Sequence, residues 1–106
     1  MRQEHNKLIR DRIPEIIRQA GRECEVKTMS QLEYHQALLD KLVEEAKEAA
    51  QTNSDDLVEE LADIYEVIDT ILDNLEIDKG LVLARQKQKR QEKGGLNNKL
   101  RLLWTE

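Results

Sequence analysis

Apolar residues recur with a helical period along two consecutive stretches of the chain. At about 100° per residue, those of the first stretch share one arc: Leu38, Leu39, Leu42, Val43, Ala46, Ala49 and Ala50. Those of the second stretch do the same: Leu57, Leu61, Ile64, Tyr65, Ile68, Ile71, Leu72 and Leu75. The sequence Asn53-Ser54-Asp55 between them is typical of a turn. The pattern therefore predicts two amphipathic helices that pack antiparallel.

Capping signals predict where these two helices begin and end. Ser30-Gln31-Leu32-Glu33 is a capping box, so the first helix is predicted to begin there and to end near Thr52. The second helix is predicted from about Ser54, with acidic residues in its first turn that suit the helix dipole. Its end is predicted at Asn74 or Leu75.

Two further helices are predicted on either side of this pair. Pro14 suits the first turn of a short helix that ends at Gly21. Its predicted buried face contains Ile13, Ile16, Ile17 and Ala20. Asp78 is predicted to cap a fourth helix through about Glu92. Residues 85–93 include no apolar side chain, so this basic run is either a solvated helix end or a set of cations that meets an anion.

The composition indicates an all-α protein. The chain has 106 residues with one Pro, four Gly and no Phe, so its core must come from Leu, Ile, Val and Ala. We expect a single domain, residues 1–106, whose thin core needs a partner chain. A net charge of −5 argues against nucleic-acid binding. The single Cys24, the absence of a long apolar run and the lack of a signal peptide favour a cytoplasmic protein without a membrane anchor.

Acidic residues recur beside the two apolar arcs. Glu45 is predicted on the margin of the first arc with Glu48 one turn further on, and Glu60 inside the second arc with Asp63 at its edge. A charge on a core-facing side is unfavourable unless it is paired or coordinated, so we interpret this group, with Glu44, as a metal site. The alternative is that a chain with 37% charged residues places solvated Glu on every helix.

The chemistry of the candidate ligands limits which metal ions the site could bind. Carboxylate oxygens suit Mg²⁺, Mn²⁺ or Ca²⁺, whereas His5, His35 and Cys24 are too scattered for a zinc or di-iron site. Mg²⁺ often binds through a few carboxylates together with substrate phosphates, which predicts a phosphorylated substrate. Lys7, Arg10 and Arg12 either balance the acidic charge or reach those phosphates.

Several motifs together carry a resemblance to a known family. Glu44-Glu45-Ala46-Lys47-Glu48 and Glu60-Leu61-Ala62-Asp63 resemble the EExxE and ExxD pair of the all-α nucleoside triphosphate pyrophosphohydrolases, the MazG-like and phosphoribosyl-ATP pyrophosphohydrolase-like group. The opening Asn6-Lys7-Leu8-Ile9-Arg10-Asp11-Arg12-Ile13-Pro14-Glu15-Ile16-Ile17 resembles the NKLVRDKIPEII start of one subgroup. The resemblance covers nearly the whole chain and implies a four-helix bundle-like fold, assembled as a homodimer or homotetramer.

The resemblance also implies an activity, which is Mg²⁺-dependent cleavage of a nucleoside triphosphate between its α and β phosphates. Mn²⁺ is a possible substitute for Mg²⁺. The implied metal ligands are Glu45, Glu48, Glu60 and Asp63, and the implied catalytic carboxylates are Glu44 and Glu45. The implied phosphate-binding residues are Lys89, Lys93, Lys7 and Arg10. The family's role is removal of unwanted nucleotides.

The chain departs from the family in one element. Lys89 to Leu96 aligns with the KxxxRGxF pattern but has Lys93 for Arg and Leu96 for Phe. Lys cannot make the planar two-pronged phosphate contact of Arg, and Leu cannot stack on a base. A nucleotide sensor that binds without hydrolysis therefore stays open as an alternative. Hydrolysis of phosphoribosyl-ATP stays open through the broader kinship of the family, and so does a helical interaction module whose acidic faces meet a basic partner.

Overall fold

The computed structural model describes residues 2–106, and its regular structure is entirely helical. Helix α1 is Ile13–Gln19, α2 is Gln31–Gln51, α3 is Leu57–Asn74 and α4 is Lys79–Lys93. No strand occurs among residues 2–106, which confirms the predicted all-α class. No helix in this range is long and apolar enough to cross a membrane.

The chain divides into two compact units. The first ends at Leu75 and contains α1, α2 and α3, and the second is Glu76–Glu106 and contains α4. Every predicted metal ligand belongs to the first unit. The single domain and the four-helix bundle stay predictions, because each unit is described by itself.

Local capping explains where α2 begins. The Glu33 N–H donates to Ser30 Oγ over 3.2 Å, and the Ser30 N–H donates to Glu33 Oε1 over 3.1 Å. These two bonds form the predicted capping box and satisfy two backbone donors that have no partner within the helix.

The start of α3 differs from the prediction. Asn53 Oδ1 accepts the N–H groups of Asp55 and Asp56 at 3.1 and 3.3 Å, and a 3₁₀ turn, Ser54–Asp56, precedes the helix. Helix α3 therefore begins at Leu57 rather than near Ser54. The tighter turn forms because one side-chain acceptor holds two successive N–H groups at the reversal of the chain.

The flanking helices also follow their capping signals. Pro14 lies in the first turn of α1, and Gly21 follows the helix with a φ of +78°. Asp78 caps α4, since its side chain accepts the Gly80 N–H over 2.8 Å. The predicted buried face of α1 is only half-formed, because Ile16 is exposed and Ile17 is half-buried.

Helices α2 and α3 pack against each other as an antiparallel hairpin. The Asn74 side-chain amide, at the end of α3, contacts the Tyr34 hydroxyl near the start of α2. The buried hydrophobic core among residues 2–106 consists of Leu38 on α2 and Val67 on α3, 2% and 8% exposed. One pair of helices buries only the seam between them, so a single hairpin has a very small core.

Several of the remaining apolar side chains of the two predicted arcs lie outside this seam. On α2, Leu39 and Val43 are exposed, and on α3, Leu61, Tyr65 and Ile68 are exposed. The prediction that each arc forms one buried face is therefore wrong for these exposed residues. Each arc is wider than one helix can cover, so its outer edge remains open to solvent or to another layer.

Candidate metal centre

Glu45 lies on the seam between α2 and α3. It follows the buried Leu38 by two helical turns and is itself 6% exposed. The prediction that Glu45 lies on the margin of the apolar face is therefore wrong. The seam of α2 runs along Leu38, Leu42 and Glu45, while Leu39 and Val43 belong to the exposed edge, so the centre of the buried face is rotated toward the carboxylate.

Helix α3 presents Glu60 and Asp63 to the same place. Both residues are half-buried, and both precede Val67, the buried residue of α3, at helical spacings of seven and four. The antiparallel hairpin brings this first half of α3 next to the second half of α2. The sequence predicted this meeting of the two acidic groups.

The five predicted carboxylates form two overlapping triads. Glu44, Glu45 and Glu48 form one triad, and each supplies an oxygen within 4.8 Å of the others. Glu45, Glu60 and Asp63 form the second triad within the same limit. Glu45 is common to both, so the buried residue lies where the two groups join. We call these five side chains the carboxylate cluster.

Two oxygens of the carboxylate cluster are buried without a partner. Within the part of the chain that the structure describes, Glu45 Oε2 and Glu60 Oε2 accept no hydrogen bond and are closed to solvent. A buried charged acceptor without a donor is strongly unfavourable. A cation held by Glu45 and Glu60, which each supply an oxygen within 4.8 Å of the other, would supply the missing partner, and hard carboxylate oxygens fit Mg²⁺, Mn²⁺ or Ca²⁺.

Three basic side chains contact the cluster from outside. Lys41 Nζ lies 3.5 Å from Glu44 Oε2 and 3.5 Å from Glu45 Oε1. Lys7 Nζ lies 3.1 Å from Glu44 Oε1, and Arg10 Nη2 lies 2.8 Å from Asp63 Oδ1. Five carboxylates against three cations leave two negative charges uncompensated if all are ionised, which is the charge of one divalent ion.

Sequence reasoning did not assign Lys41 to the site. Its side chain is 17% exposed and lies on the α2 seam. The signal was present, because Lys41 precedes Glu44 and Glu45 by three and four residues, a spacing at which opposite charges meet on a helix. Lys7 and Arg10 were predicted as phosphate contacts, and the structure places both on cluster carboxylates.

The pKa values of the cluster diverge. Burial raises the pKa of Glu45, and the charges of Glu48 and Asp63 raise it further against the opposing charge of Lys41. Burial likewise raises the pKa of Glu60, helped by the charges of Glu48 and Asp63. Burial also acts to raise the pKa of Glu44, but the hydrogen bond from Lys7 and the charges of Lys41 and Lys7 outweigh it and lower that pKa. The uncompensated charge is therefore concentrated at the seam.

The remaining predicted phosphate contacts lie in the second unit. Lys89 is on α4, where it lines a shallow surface pocket with Val82, Arg85 and Gln86. Lys93 is the last residue of α4. Their role as phosphate contacts stays a prediction, and so does the effect of Leu96, which is 98% exposed.

The donor set limits the chemistry of the centre. No His or Cys among residues 2–106 joins either triad, so the donor set consists of carboxylate oxygens, the ligands that Mg²⁺, Mn²⁺ and Ca²⁺ take. Comparison with protein-family models, curated proteins and solved structures finds no match for the chain.

Proposed function

We propose that the protein is a Mg²⁺-dependent nucleoside triphosphate pyrophosphohydrolase of the MazG-like type. The observation that carries the proposal is that five carboxylates from two helices form two triads joined at Glu45, and that two of their oxygens are buried without a partner. These carboxylates are spaced as in the EExxE and ExxD motifs. The antiparallel hairpin brings the two motifs next to each other. A surface ion-pair network would leave its oxygens in water or paired.

Glu45, Glu48, Glu60 and Asp63 are the proposed metal ligands. When bound, Mg²⁺ supplies neutralisation of the polyphosphate charge and polarisation of the phosphorus under attack. Mn²⁺ fits the same oxygens. Lys41 holds Glu45 Oε1 at 3.5 Å, which leaves Glu45 Oε2, the buried oxygen without a partner, as the proposed ligand atom.

Glu44 is proposed to orient the attacking water. Its lowered pKa keeps it ionised at neutral pH, so it can accept a hydrogen bond from water. In the proposed reaction a water oxygen bonds to the α phosphorus and the bond from that phosphorus to the α–β bridging oxygen breaks. The products are the nucleoside monophosphate and pyrophosphate, and the protons of the water pass to solvent.

We further propose that two hairpins complete a four-helix bundle in a homodimer or homotetramer. The support is the open apolar edge of the hairpin, where Val58 and Tyr65 of α3 are 73% and 68% exposed. Exposed apolar faces of this kind mark association surfaces. Leu61→Glu should yield a monomer of lower thermal stability, which analytical ultracentrifugation would detect. A wild type that is monomeric at high concentration would contradict this assembly.

The test of the reaction is product identity. Standard and modified nucleoside triphosphates are incubated with the protein and Mg²⁺, and the products are separated and quantified. The proposal expects monophosphate and pyrophosphate in equal amounts. Diphosphate with inorganic phosphate would contradict cleavage at the α–β bond. Absence of any hydrolysis would favour the sensor or interaction-module alternatives, and hydrolysis of phosphoribosyl-ATP alone would select the biosynthetic alternative.

A further inference from the structure

The N-terminal segment, residues 6–12, supplies one cation to each carboxylate triad. Lys7 pairs with Glu44 of the first triad at 3.1 Å, and Arg10 pairs with Asp63 of the second at 2.8 Å. These pairs join positions 37 and 53 residues apart in the chain. The segment therefore touches one half-buried carboxylate of each triad.

The segment is anchored between its two cations. Leu8 and Ile9 are half-buried, and the Arg10 carbonyl accepts the Ile13 N–H at the start of α1 over 3.1 Å. The Lys7 and Arg10 side chains are themselves 46% and 58% exposed. The backbone is thus held near the cluster, while the charged ends of both side chains can exchange one partner for another.

We propose that Lys7 and Arg10 are exchangeable counter-ions of the carboxylate cluster. They pair with Glu44 and Asp63 in the metal-free protein and move to the phosphates of the substrate once a divalent cation has entered. The inference rests on the proposed function and adds an order of binding, in which the metal precedes the polyphosphate. Lys41 is excluded from this exchange, because its side chain is only 17% exposed on the α2 seam.

The physical reason is competition between cations. A divalent ion beside Glu45 and Glu60 would repel the positive charges of Lys7 and Arg10, which pair with Glu44 and Asp63, and it would also withdraw charge from those two carboxylates. A polyphosphate bound to the same ion offers Lys7 and Arg10 a more highly charged acceptor. Removal of the two cations should therefore change the affinities for metal and for polyphosphate in opposite directions.

The experiment compares two double variants by calorimetric titration. Lys7→Gln with Arg10→Gln removes the proposed counter-ions. Lys27→Gln with Arg2→Gln is the matched control, because it removes the same charge from ion pairs with Glu33 at 3.0 Å and Glu4 at 3.4 Å. The probes are Mn²⁺ alone, and inorganic pyrophosphate in saturating Mg²⁺. Circular dichroism checks that each variant is folded.

We expect the first variant to bind Mn²⁺ about fivefold more tightly than the control, since each exposed ion pair contributes modestly. Pyrophosphate binding should weaken by at least a similar factor. Weaker binding of both Mn²⁺ and pyrophosphate, or affinities equal to those of the control, would overturn the inference while leaving the proposed metal site intact. A wild type that binds no Mn²⁺ would overturn the proposed function and this inference together.

Discussion

The substitution Glu45→Gln should stabilise the metal-free protein and abolish its stabilisation by metal. Glu45 is buried, belongs to both triads and carries an oxygen without a partner. Glutamine has nearly the same shape, keeps an acceptor for Lys41 and adds an amide donor toward the neighbouring carboxylates. The change therefore removes the repulsion at the seam while the packing is preserved.

The size of this stabilisation follows from the distances between Glu45 and the charges around it. Taken at the 4.8 Å limit of separation, the repulsion of Glu45 by Glu48 and its repulsion by Asp63 each amount to about 3.5 kcal/mol at an effective dielectric constant of 20. The attraction of Lys41 at 3.5 Å offsets about 5 kcal/mol of the combined repulsion. The net relief is about 2 kcal/mol. For a domain of this size it corresponds to a rise in melting temperature of roughly 10 °C.

The assay is thermal unfolding of wild type and variant, with EDTA and with Mg²⁺. Saturation of the wild-type site at one hundred times its Kd should add about 2.7 kcal/mol. The variant should melt above the wild type in EDTA and respond little to Mg²⁺. Glu59→Gln is the matched control, since Glu59 is exposed and lies outside the triads. A variant less stable than wild type in EDTA, or an equal response of both to Mg²⁺, would refute the reasoning.

Two further predictions concern stability. Because the pKa values of Glu45 and Glu60 are raised above 4.5, the metal-free folded state binds more protons than the unfolded chain just above that pH. The free energy of unfolding should therefore rise as pH falls from neutral toward 4.5. It should decline below that pH, where Glu33 and Glu44, whose pKa values are lowered, become protonated. A steady decline from neutral pH in a denaturation series would contradict this prediction. Ser30→Ala should reduce the free energy of unfolding by about 1 kcal/mol through loss of the cap, and an unchanged urea midpoint would show that the capping box contributes nothing.

Local signals in the sequence were sufficient to predict the caps and turns whose hydrogen bonds join neighbouring residues. The capping box at Ser30, the cap at Asp78 and the turn at Asn53 each involve residues within four positions of one another, so their bonds follow from short patterns. The two acidic groups were also predictable, because a short turn between two amphipathic helices leaves little choice of packing. Glu60 lies toward the seam as its helical position predicts.

Long-range partners were not predictable from the same signals. Lys7 lies 37 residues before Glu44 and Arg10 lies 53 residues before Asp63, and nothing in their local pattern indicates which carboxylate each contacts. The position of Glu45 was missed for a related reason. Periodicity gives the width of an apolar arc, whereas the neighbouring helix determines which part of the arc is buried. That choice left Leu39 and Val43 exposed and buried Glu45.

The rate of pyrophosphate release tests the central claim most directly. Wild type, Glu60→Gln and the matched Glu59→Gln are assayed on the same panel of nucleoside triphosphates, with Mg²⁺ and with EDTA. We predict Mg²⁺-dependent release by wild type and Glu59→Gln, and a loss of at least about a hundredfold in Glu60→Gln, as for removal of a group that stabilises the transition state. Equal release by Glu60→Gln, or release that persists in EDTA, would contradict a metal-dependent reaction at the carboxylate cluster.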